Sequence, residues 1–549
     1  MFDYIIIGAG SAGCVLANRL SENPNTSVCL LEAGPSDENP LHKHLIRVPL
    51  GIGLLMWHPV LNWGYYSEKE PQLNKRKLYS PRGKVLGGSS ASNAMVYIRG
   101  QQEDFNHWAS LGNKGWDWQS LLPLFKRQEN QQRGANAFHG VGGPLCVDDP
   151  TQTDSLCHTF IDAGKELGYT QTADFNGPCQ EGFGIFQMTQ KKGERWSSAR
   201  ANLHPIKNRK NLHVITNAYV TRILFQGKKT TGIEYIKDNT THKINAAKEV
   251  ILSSGAFNSP QLLLLSGIGP EDELAKHKIP AIQILEGVGK NLQDHLDIIL
   301  RQKNSQNTGY GLSFSFALTA LKAPLRYLIS RSGFLASNAA EAGAFVKTDD
   351  NLKSADLQLH FTPTYLKGHG RSVPPLGHAY SLHLCNLHPK SRGSVTLHSS
   401  QAGQAPKISF NYLQHPDDMK TMVNAVKLGR KLLQTTAFKP YRDKELAPGS
   451  AVQSDKDIEH FIREEAESIY HPVGTCKMGN DVLSVVDDQL RVHGIEGLRV
   501  VDASIMPTLI GGNTNATTMV IAEKAADLIL KTEGVINTNS AQIKDKSAI

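Results

Sequence analysis

No stretch of about 18 consecutive apolar residues occurs in the chain, so no segment reads as a membrane-spanning helix. There is no Cys-x-x-Cys pair either. The seven cysteines (Cys14, Cys29, Cys146, Cys157, Cys179, Cys385 and Cys476) are odd in number and scattered, which argues against a zinc ribbon or disulfide framework. Reduced thiols in a cytoplasmic compartment are expected, and no metal site. The N-terminus, Met1-Phe2-Asp3-Tyr4, lacks the basic region of a secretory signal, with Asp3 where positive charge would be needed, so no Sec export is expected. A clustered basic stripe is also missing: 59 Lys+Arg are interleaved with 51 Asp+Glu, and the resulting net charge of +8 builds no nucleic-acid footprint. An anionic membrane surface stays open as a partner. No internal repeat or low-complexity segment is present.

What is present is an ordinary globular composition, 40% apolar, 7% aromatic and 20% charged, which excludes disordered, collagen-like and coiled-coil classes. At 549 residues, two or more domains or one large interleaved body are expected.

The first 32 residues read as strand, helix, strand. A β-branched run, Tyr4 to Ile7, ends at Gly8; Ser11 to Leu20 has helical spacing at Val15, Leu16 and Leu20; a second apolar run, Val28 to Leu31, ends at Glu32. Gly8-Ala9-Gly10-Ser11-Ala12-Gly13 fits G-x-G-x-x-G between the first strand and the helix. Its glycines permit a tight turn, close approach of a pyrophosphate and helix-on-strand packing, while the helix N-terminus offers N–H donors. Glu32, 19 residues past Gly13, stands where a carboxylate can accept from ribose hydroxyls. An acid there disfavours a 2′-phosphate but does not separate FAD from NAD.

Residues 40 to 160 are irregular and rich in Gly, Pro and Trp, and read as ordered coil wrapped around a ligand. Further strands are expected at 213–215, 220–225 and 249–252, the last leading into a helix at 260–265. A core helix is expected over 417–434 (Met419, Met422, Val423, Val426, Leu432 and Leu433), then a strand at 498–501, a helix at 515–530 and a polar, frayed tail.

Four segments carry a resemblance. They are Gly83-Lys84-Val85-Leu86-Gly87-Gly88-Ser89-Ser90-Ala91-Ser92-Asn93-Ala94-Met95; Gly255-Ala256-Phe257-Asn258-Ser259-Pro260, continuing to Leu265-Ser266-Gly267-Ile268-Gly269; Tyr470-His471-Pro472-Val473-Gly474-Thr475-Cys476-Lys477-Met478-Gly479; and Val500-Val501-Asp502-Ala503-Ser504 leading to Gly512-Asn513-Thr514-Asn515-Ala516. Together, and in this order, they resemble the glucose-methanol-choline (GMC) flavoprotein oxidoreductases over residues 2 to 530. The resemblance implies an α/β fold with a Rossmann-like FAD-binding domain and an interleaved α+β substrate domain. Residues 2–300 would be mainly FAD-binding and 310–465 mainly substrate domain; 466–530 would return to complete the FAD domain and active site, leaving 532–549 as tail. Besides Gly8, Gly10, Ser11, Ala12, Gly13, Glu32 and Ala33, it implies flavin or phosphate contacts from Gly88, Ser89, Asn93 and Met95. Val220 would lie against the adenine, Asp502 and Ala503 near the pyrophosphate and ribityl chain, and Thr514 at the isoalloxazine edge. Ser92 occupies the position that is His in members with tethered flavin; serine cannot form that bond, so FAD is expected to be non-covalent.

The implied chemistry is oxidation of a primary, aliphatic alcohol to an aldehyde by hydride transfer to flavin N5. His471 corresponds to the catalytic histidine, whose neutral imidazole can take the hydroxyl proton. Asn513 corresponds to the second catalytic position, where an amide can donate to the alcohol oxygen but cannot titrate. His295, in Gly287-Val288-Gly289-Lys290-Asn291-Leu292-Gln293-Asp294-His295, reads as structural, and Cys476 as a small core residue.

The chain as a whole, including Arg195–Arg200 and Tyr365–Arg371, looks most like bacterial alkane-pathway alcohol dehydrogenases that pass electrons to membrane quinone, then like choline dehydrogenases. The partners this implies are a small alcohol and a quinone or other acceptor. Glu341 could cradle a quaternary ammonium, though an acid in this segment discriminates poorly. Alternatives are a choline dehydrogenase, an alcohol oxidase, a hydroxynitrile lyase with redox-silent FAD, or a flavin binder without turnover. Phe314, Leu318, Leu321, Leu325, Leu328 and Ile329 form an apolar helical stripe beside Lys322, Arg326 and Arg331. It reads as a plain substrate-domain helix, with a membrane dock, peripheral on the inner membrane, as the alternative.

Overall fold

The structure, a computed structural model, describes the whole chain except residues 371, 373–374, 533 and 535–549, so the tail expected at 532–549 lies almost wholly outside the described residues. Two seven-stranded sheets organise the rest. In the first, Phe2–Ile7 lies parallel between Val28–Leu31 and the end of Thr240–Leu252, with Leu212–Ile215 outside Val28–Leu31 and Leu498–Val500 on the far side of Thr240–Leu252. Ile5, Ile6, Leu30, Ile251 and Leu498 are all buried, as parallel strands covered on both faces require. The first half of Thr240–Leu252 instead pairs antiparallel with Lys229–Lys237, which pairs with Tyr219–Gln226. One long strand thus belongs to two kinds of ladder, and Val220 is brought back to the nucleotide end.

The helix Ser11–Leu20 begins where the fingerprint predicts. At Gly13, an added Cβ would lie 1.9 Å from the Gly8 carbonyl oxygen, so only glycine lets this helix cross its strand so closely. The partner helix Asn515–Thr532 packs alongside, cross-linked by Arg19 to Glu523 and Asp527.

Residues 40 to 160 are less coil-like than expected. Besides the short helices Lys43–Arg47 and Ile52–Leu55 they contain three longer ones, Gln102–Ser110, Trp118–Gln128 and the start of Ser155–Glu166. The second is capped by Asp117, whose side chain accepts from the Ser120 N–H at 3.0 Å, and buries Leu121, Leu124 and Phe125 at helical spacing. Short paired strands (Tyr65–Tyr66 with Tyr79–Ser80, Glu129–Gln131 with Leu145–Val147) and turns make up the rest, and two of the turns, Pro49–Gly51 and Gly88–Ala91, reach the cavity described below.

The second sheet is antiparallel, in the order Arg442–Ala447, Leu296–Asn304, His378–Asn386, Leu357–Thr362, Ala342–Val346, Gly182–Ile185, with Glu467–Ser468 paired to Leu296–Asn304. Alternation divides its faces. Ile298, Leu300, Leu359, Phe361, Leu382 and Leu384 form one core cluster with Met422, Val423 and Val426 of the helix Pro416–Leu433, while Asp297, Ile299, His360, Thr362 and His383 face the cavity. Gly429 makes the helix-to-sheet packing close: a Cβ there would meet Leu300 Cδ1 at 2.7 Å.

The apolar stripe of the helix Phe314–Ser330 does not face the core. Ala323 and Tyr327 are its buried residues, and the leucines of the stripe point outward. Amphipathic spacing specifies a stripe but not what covers it.

Candidate active site

A cavity of about 580 Å³ lies between the two sheets, with a nucleotide end at Ile7, Leu31 and Val220 and a chemical end at His471 and Asn513. Gly8, Gly10, Ser11, Ala12, Glu32, Ala33, Gly88, Ser89, Asn93, Met95, Val220, Asp502, Ala503 and Thr514 all line it. Gly13 does not; it stands behind the wall as the packing glycine.

The nucleotide end suits a diphosphate. Gly10 caps the helix Ser11–Leu20 without any side-chain hydrogen bond, so the first amides of that helix are not spent on a capping side chain. Opposite, Gly88 (φ 52°) comes so near that a Cβ there would be 2.7 Å from Gly10 Cα. Two backbones at this distance form a cradle that side chains would fill. Among the described lining residues Arg82 is the one Lys or Arg, and it is used on the Pro81 and Tyr470 carbonyls, so amides rather than side-chain cations would meet the phosphate charge.

Glu32 accepts from Ala9 N at 3.0 Å with one oxygen and from Gly34 N at 2.9 Å with the other. A carboxylate has about four acceptor positions, so capacity remains for ribose hydroxyls. Burial pushes its carboxyl up to about 7, against these amide donors. Asp502 accepts from Gly255 N, Ser259 Oγ and Ser504 N, and thereby fixes two turns of the wall. Asn93 Oδ1 is held at 3.0 Å both by Met95 N and by Arg195, leaving its Nδ2 donors uncommitted among the described residues. Arg195, fully buried, makes no ion pair among the described residues; it donates to the Ile46, Pro49 and Asn93 carbonyls, and burial pushes it down to about 9. These residues fit FAD.

At the chemical end, two loops run antiparallel through the Gln293 and Val473 backbones, which exchange hydrogen bonds of 3.1 and 2.9 Å. Asp294 Oδ1 accepts from both the His295 and His471 amides, while its Oδ2 takes the Tyr412 and Ser468 hydroxyls. The pairing sets the His295 and His471 rings side by side, at 88°. Tyr470, just before His471, has φ 72°, a left-handed conformation unusual for a tyrosine, and its carbonyl is held by Arg82 at 2.6 Å.

The polarity of the resulting chain follows from one atom. His295 Nε2 lies 3.0 Å from the Leu387 carbonyl, which can only accept, so Nε2 carries a proton. Burial pushes His295 down to about 3, so the ring is neutral and its Nδ1 is a lone pair. His471 Nδ1, 2.9 Å away, must therefore donate. His471 is held well below the ordinary imidazole range, first by burial and also by the nearby Arg82 guanidinium, so it too is neutral and its Nε2 is a lone pair. Asn513 Nδ2 stands 3.2 Å from that atom, and Asn513 Oδ1 accepts from Gln358 Nε2 at 3.1 Å. Every donor of this chain meets an acceptor, and the His471 Nε2 lone pair, which accepts from Asn513 Nδ2, lies on the cavity wall.

Three of these participants were not foreseen. His295, read as structural, is hydrogen-bonded to His471; Gln358 orients Asn513; Asp294 fixes both loops. Glu341, weighed as a cation cradle, is off the cavity: it is buried and accepts from Tyr310, Ser337, Asp154 N and Cys157. The acid that does face the substrate region is Asp297, whose Oδ2 accepts from His383 Nδ1 at 2.6 Å and whose Oδ1 has no partner among the described residues. Cys476 is buried, and burial raises its thiol well above the usual range, as suits a core residue.

Comparison with known proteins agrees with this geometry. Two family models described as GMC oxidoreductase match residues 2–297 and 389–522. An alcohol dehydrogenase [acceptor] of Pseudomonas putida is 49% identical over 97% of this chain and 96% of its own. A mitochondrial choline dehydrogenase of Mus musculus is 44% identical over 96% of this chain and 89% of its own. Among solved structures, pyridoxine 4-oxidase from Mesorbium loti superposes with TM-score 0.87 at 31% identity, covering 96% of this chain and 99% of that one. A variant of Aspergillus oryzae formate oxidase, described for its FAD modification, superposes with TM-score 0.89 at 25% identity, covering 97% and 99%. With both sheets, the nucleotide cradle and the histidine–asparagine pair in place, the chain belongs to the GMC oxidoreductase family.

Proposed function

We propose that this protein is an FAD-dependent dehydrogenase of primary, aliphatic alcohols, with FAD held non-covalently and a quinone as electron acceptor. The observation that carries the reading is the pairing of the His471 Nε2 lone pair with the Asn513 Nδ2 donor, 3.2 Å apart on the cavity wall. A hydroxyl that displaces their mutual hydrogen bond and comes within reach of both atoms meets a base for its proton and a donor for its oxygen. His471 Nε2 takes the hydroxyl proton; Asn513 Nδ2 donates to the oxygen as it gains charge; His295 holds the resulting imidazolium through the Nδ1 proton. FAD, when bound, supplies the two-electron acceptor for the hydride that leaves the carbinol carbon, giving the aldehyde. Gly8, Gly10, Ser11, Ala12, Gly88 and Ser89 would hold the diphosphate and Glu32 the ribose. Asn93, Met95 and Thr514 would border the flavin. Ser92 also lines the cavity, and its hydroxyl offers no ring nitrogen for a flavin tether.

Support for an alcohol as substrate comes from the Pseudomonas putida relative and from the apolar lining near the catalytic pair, which includes Ile299, Leu366 and Ile469. Choline oxidation is the second reading, favoured by the choline dehydrogenase relatives and by Asp297, an acid on the cavity wall. No helix among the described residues is long and apolar enough to cross a membrane, so contact with a quinone pool would be peripheral. The test is a panel of primary alcohols of graded chain length, with choline, assayed with a dye acceptor and for peroxide. Dye reduction rising with aliphatic chain length supports the proposal. Turnover of choline alone, or peroxide as the main product, replaces it with the choline or oxidase reading.

A further inference from the structure

The outward face of the helix Phe314–Ser330 carries Phe314, Leu318, Leu321, Leu325, Leu328 and Ile329 at 82, 47, 79, 63, 68 and 77% exposure. The opposite edge meets the body at Phe316, whose ring packs on Tyr310, Phe334 and His378, at Ala323, and at Tyr327, whose hydroxyl donates to the Gly193 carbonyl at 3.0 Å. Leu376, 86% exposed and bridged to Leu312, extends the surface beyond the helix N-terminus. A contiguous row of this size on one convex helix marks a surface meant to be covered.

Charge and position indicate what covers it. Residues 305–335 contain Lys322, Arg326 and Arg331 and no Asp or Glu; Arg331 pairs with Glu194 at 3.4 Å, which leaves Lys322 and Arg326 as the cations beside the stripe without an ion pair among the described residues. Lys322 and Arg326 are exposed on the helix itself. A two-fold pairing of this face with a second copy would bring these cationic flanks together, whereas anionic headgroups would neutralise them. Both ends of the helix are also tied to the cavity. Before it, Tyr310 N donates to the Pro363 carbonyl at 2.7 Å and Thr364 Oγ1 donates to the Tyr310 carbonyl at 2.9 Å, and Thr364, Leu366 and Gly370 line the cavity. After it, the turn Phe334–Ala336 packs on Pro49–Gly51, and Leu50 lines the cavity.

We infer that the helix Phe314–Ser330 docks the protein on an anionic phospholipid bilayer, with the cavity mouth turned toward the lipid. The helix lies in the interface with its leucines among the acyl chains and Lys322 and Arg326 at headgroup level. This rests on, and deepens, the alcohol-oxidation reading: aliphatic alcohol and lipid-soluble quinone would both reach the cavity from the bilayer.

The test uses full-length holoenzyme sedimented with vesicles of phosphatidylcholine alone or with phosphatidylglycerol, comparing wild type with a Leu321→Glu/Leu325→Glu/Leu328→Glu variant. All three positions are exposed, so the variant should melt with the wild type. Wild type is expected to pellet with the anionic vesicles, and the variant to bind about tenfold more weakly or worse. The variant should retain dye-linked oxidation of a short, water-soluble alcohol while losing reduction of a vesicle-embedded quinone. Wild type remaining in the supernatant, or the variant binding as wild type does, overturns the inference. So does a variant that only dissociates a dimer, since the face would then join two copies. Failure of the alcohol reading would appear separately, as no dye reduction by any alcohol whether or not vesicles bind.

Discussion

Replacing His295 by leucine would remove the acceptor of the His471 Nδ1 proton, 2.9 Å away, while roughly keeping the volume of a fully buried side chain. His471 would then have two choices. It could keep its Nδ1 proton unpaired in a buried site, at a cost of about 1–3 kcal/mol, or move the proton to Nε2 and present no lone pair to the alcohol. Either way the productive tautomer loses that much relative to wild type. At about 1.4 kcal/mol per tenfold, flavin reduction should slow roughly 5- to 150-fold. The assay is anaerobic single-turnover absorbance with saturating alcohol across a pH series, alongside FAD content and thermal melting. His295→Gln can present an amide oxygen to Nδ1 and should recover much of the rate. If His295→Leu keeps its FAD and melting temperature yet reduces within about twofold of wild type at every pH, the hydrogen-bond chain does not set the tautomer and the argument from the Leu387 carbonyl is wrong.

Asn513→Ala should lower kcat by about a hundredfold with FAD retained, because the lost donor acts mainly as charge develops on oxygen; a change confined to KM would contradict this role. The pH profile of kcat/KM should stay flat as pH falls through 6.5 and decline only in more acidic solution, since burial holds His471 well below that value and the base must be neutral to act. A decline centred near 6.5 would place the titrating group in water. Glu341→Ala should destabilise the fold by about 2–4 kcal/mol in chemical denaturation, by orphaning donors from Tyr310, Ser337 and Asp154, without altering the ratio of choline to aliphatic activity. A selective loss of choline activity would put Glu341 in the substrate site after all.

The nucleotide half of the site was legible because its determinants are local. The turn, helix and acid of residues 8 to 33 lie within one strand–helix–strand unit, and the helix Ser11–Leu20 and strand Val28–Leu31 occur at their expected limits. The proposed catalytic pair was reached only through motif resemblance, since His471 and Asn513 are 42 residues apart. Their supports were not legible at all. His295 is 176 residues from His471 and Gln358 is 155 from Asn513, and only the pairing of loops and sheet strands brings them together. Glu341 and Asp297 make the same point for charge: both are buried acids of the substrate sheet region, and neighbouring backbone direction decides which faces the cavity. The helices at 102–128 were obscured by Gly, Pro and Trp, although Leu121, Leu124 and Phe125 carried helical spacing. For Phe314–Ser330 the spacing specified the helix and left the direction of its stripe open, because a stripe of leucines has the same pattern whether protein or something else covers it.

The central claim is that a primary alcohol loses its hydroxyl proton to His471 as its hydride leaves for FAD. Its most direct test is anaerobic mixing of the holoenzyme with a primary aliphatic alcohol while the visible flavin band is followed, for wild type and His471→Ala. Wild type should bleach and the variant should keep its flavin but remain yellow. An unbleached wild type, or a variant that bleaches as fast, would contradict the account.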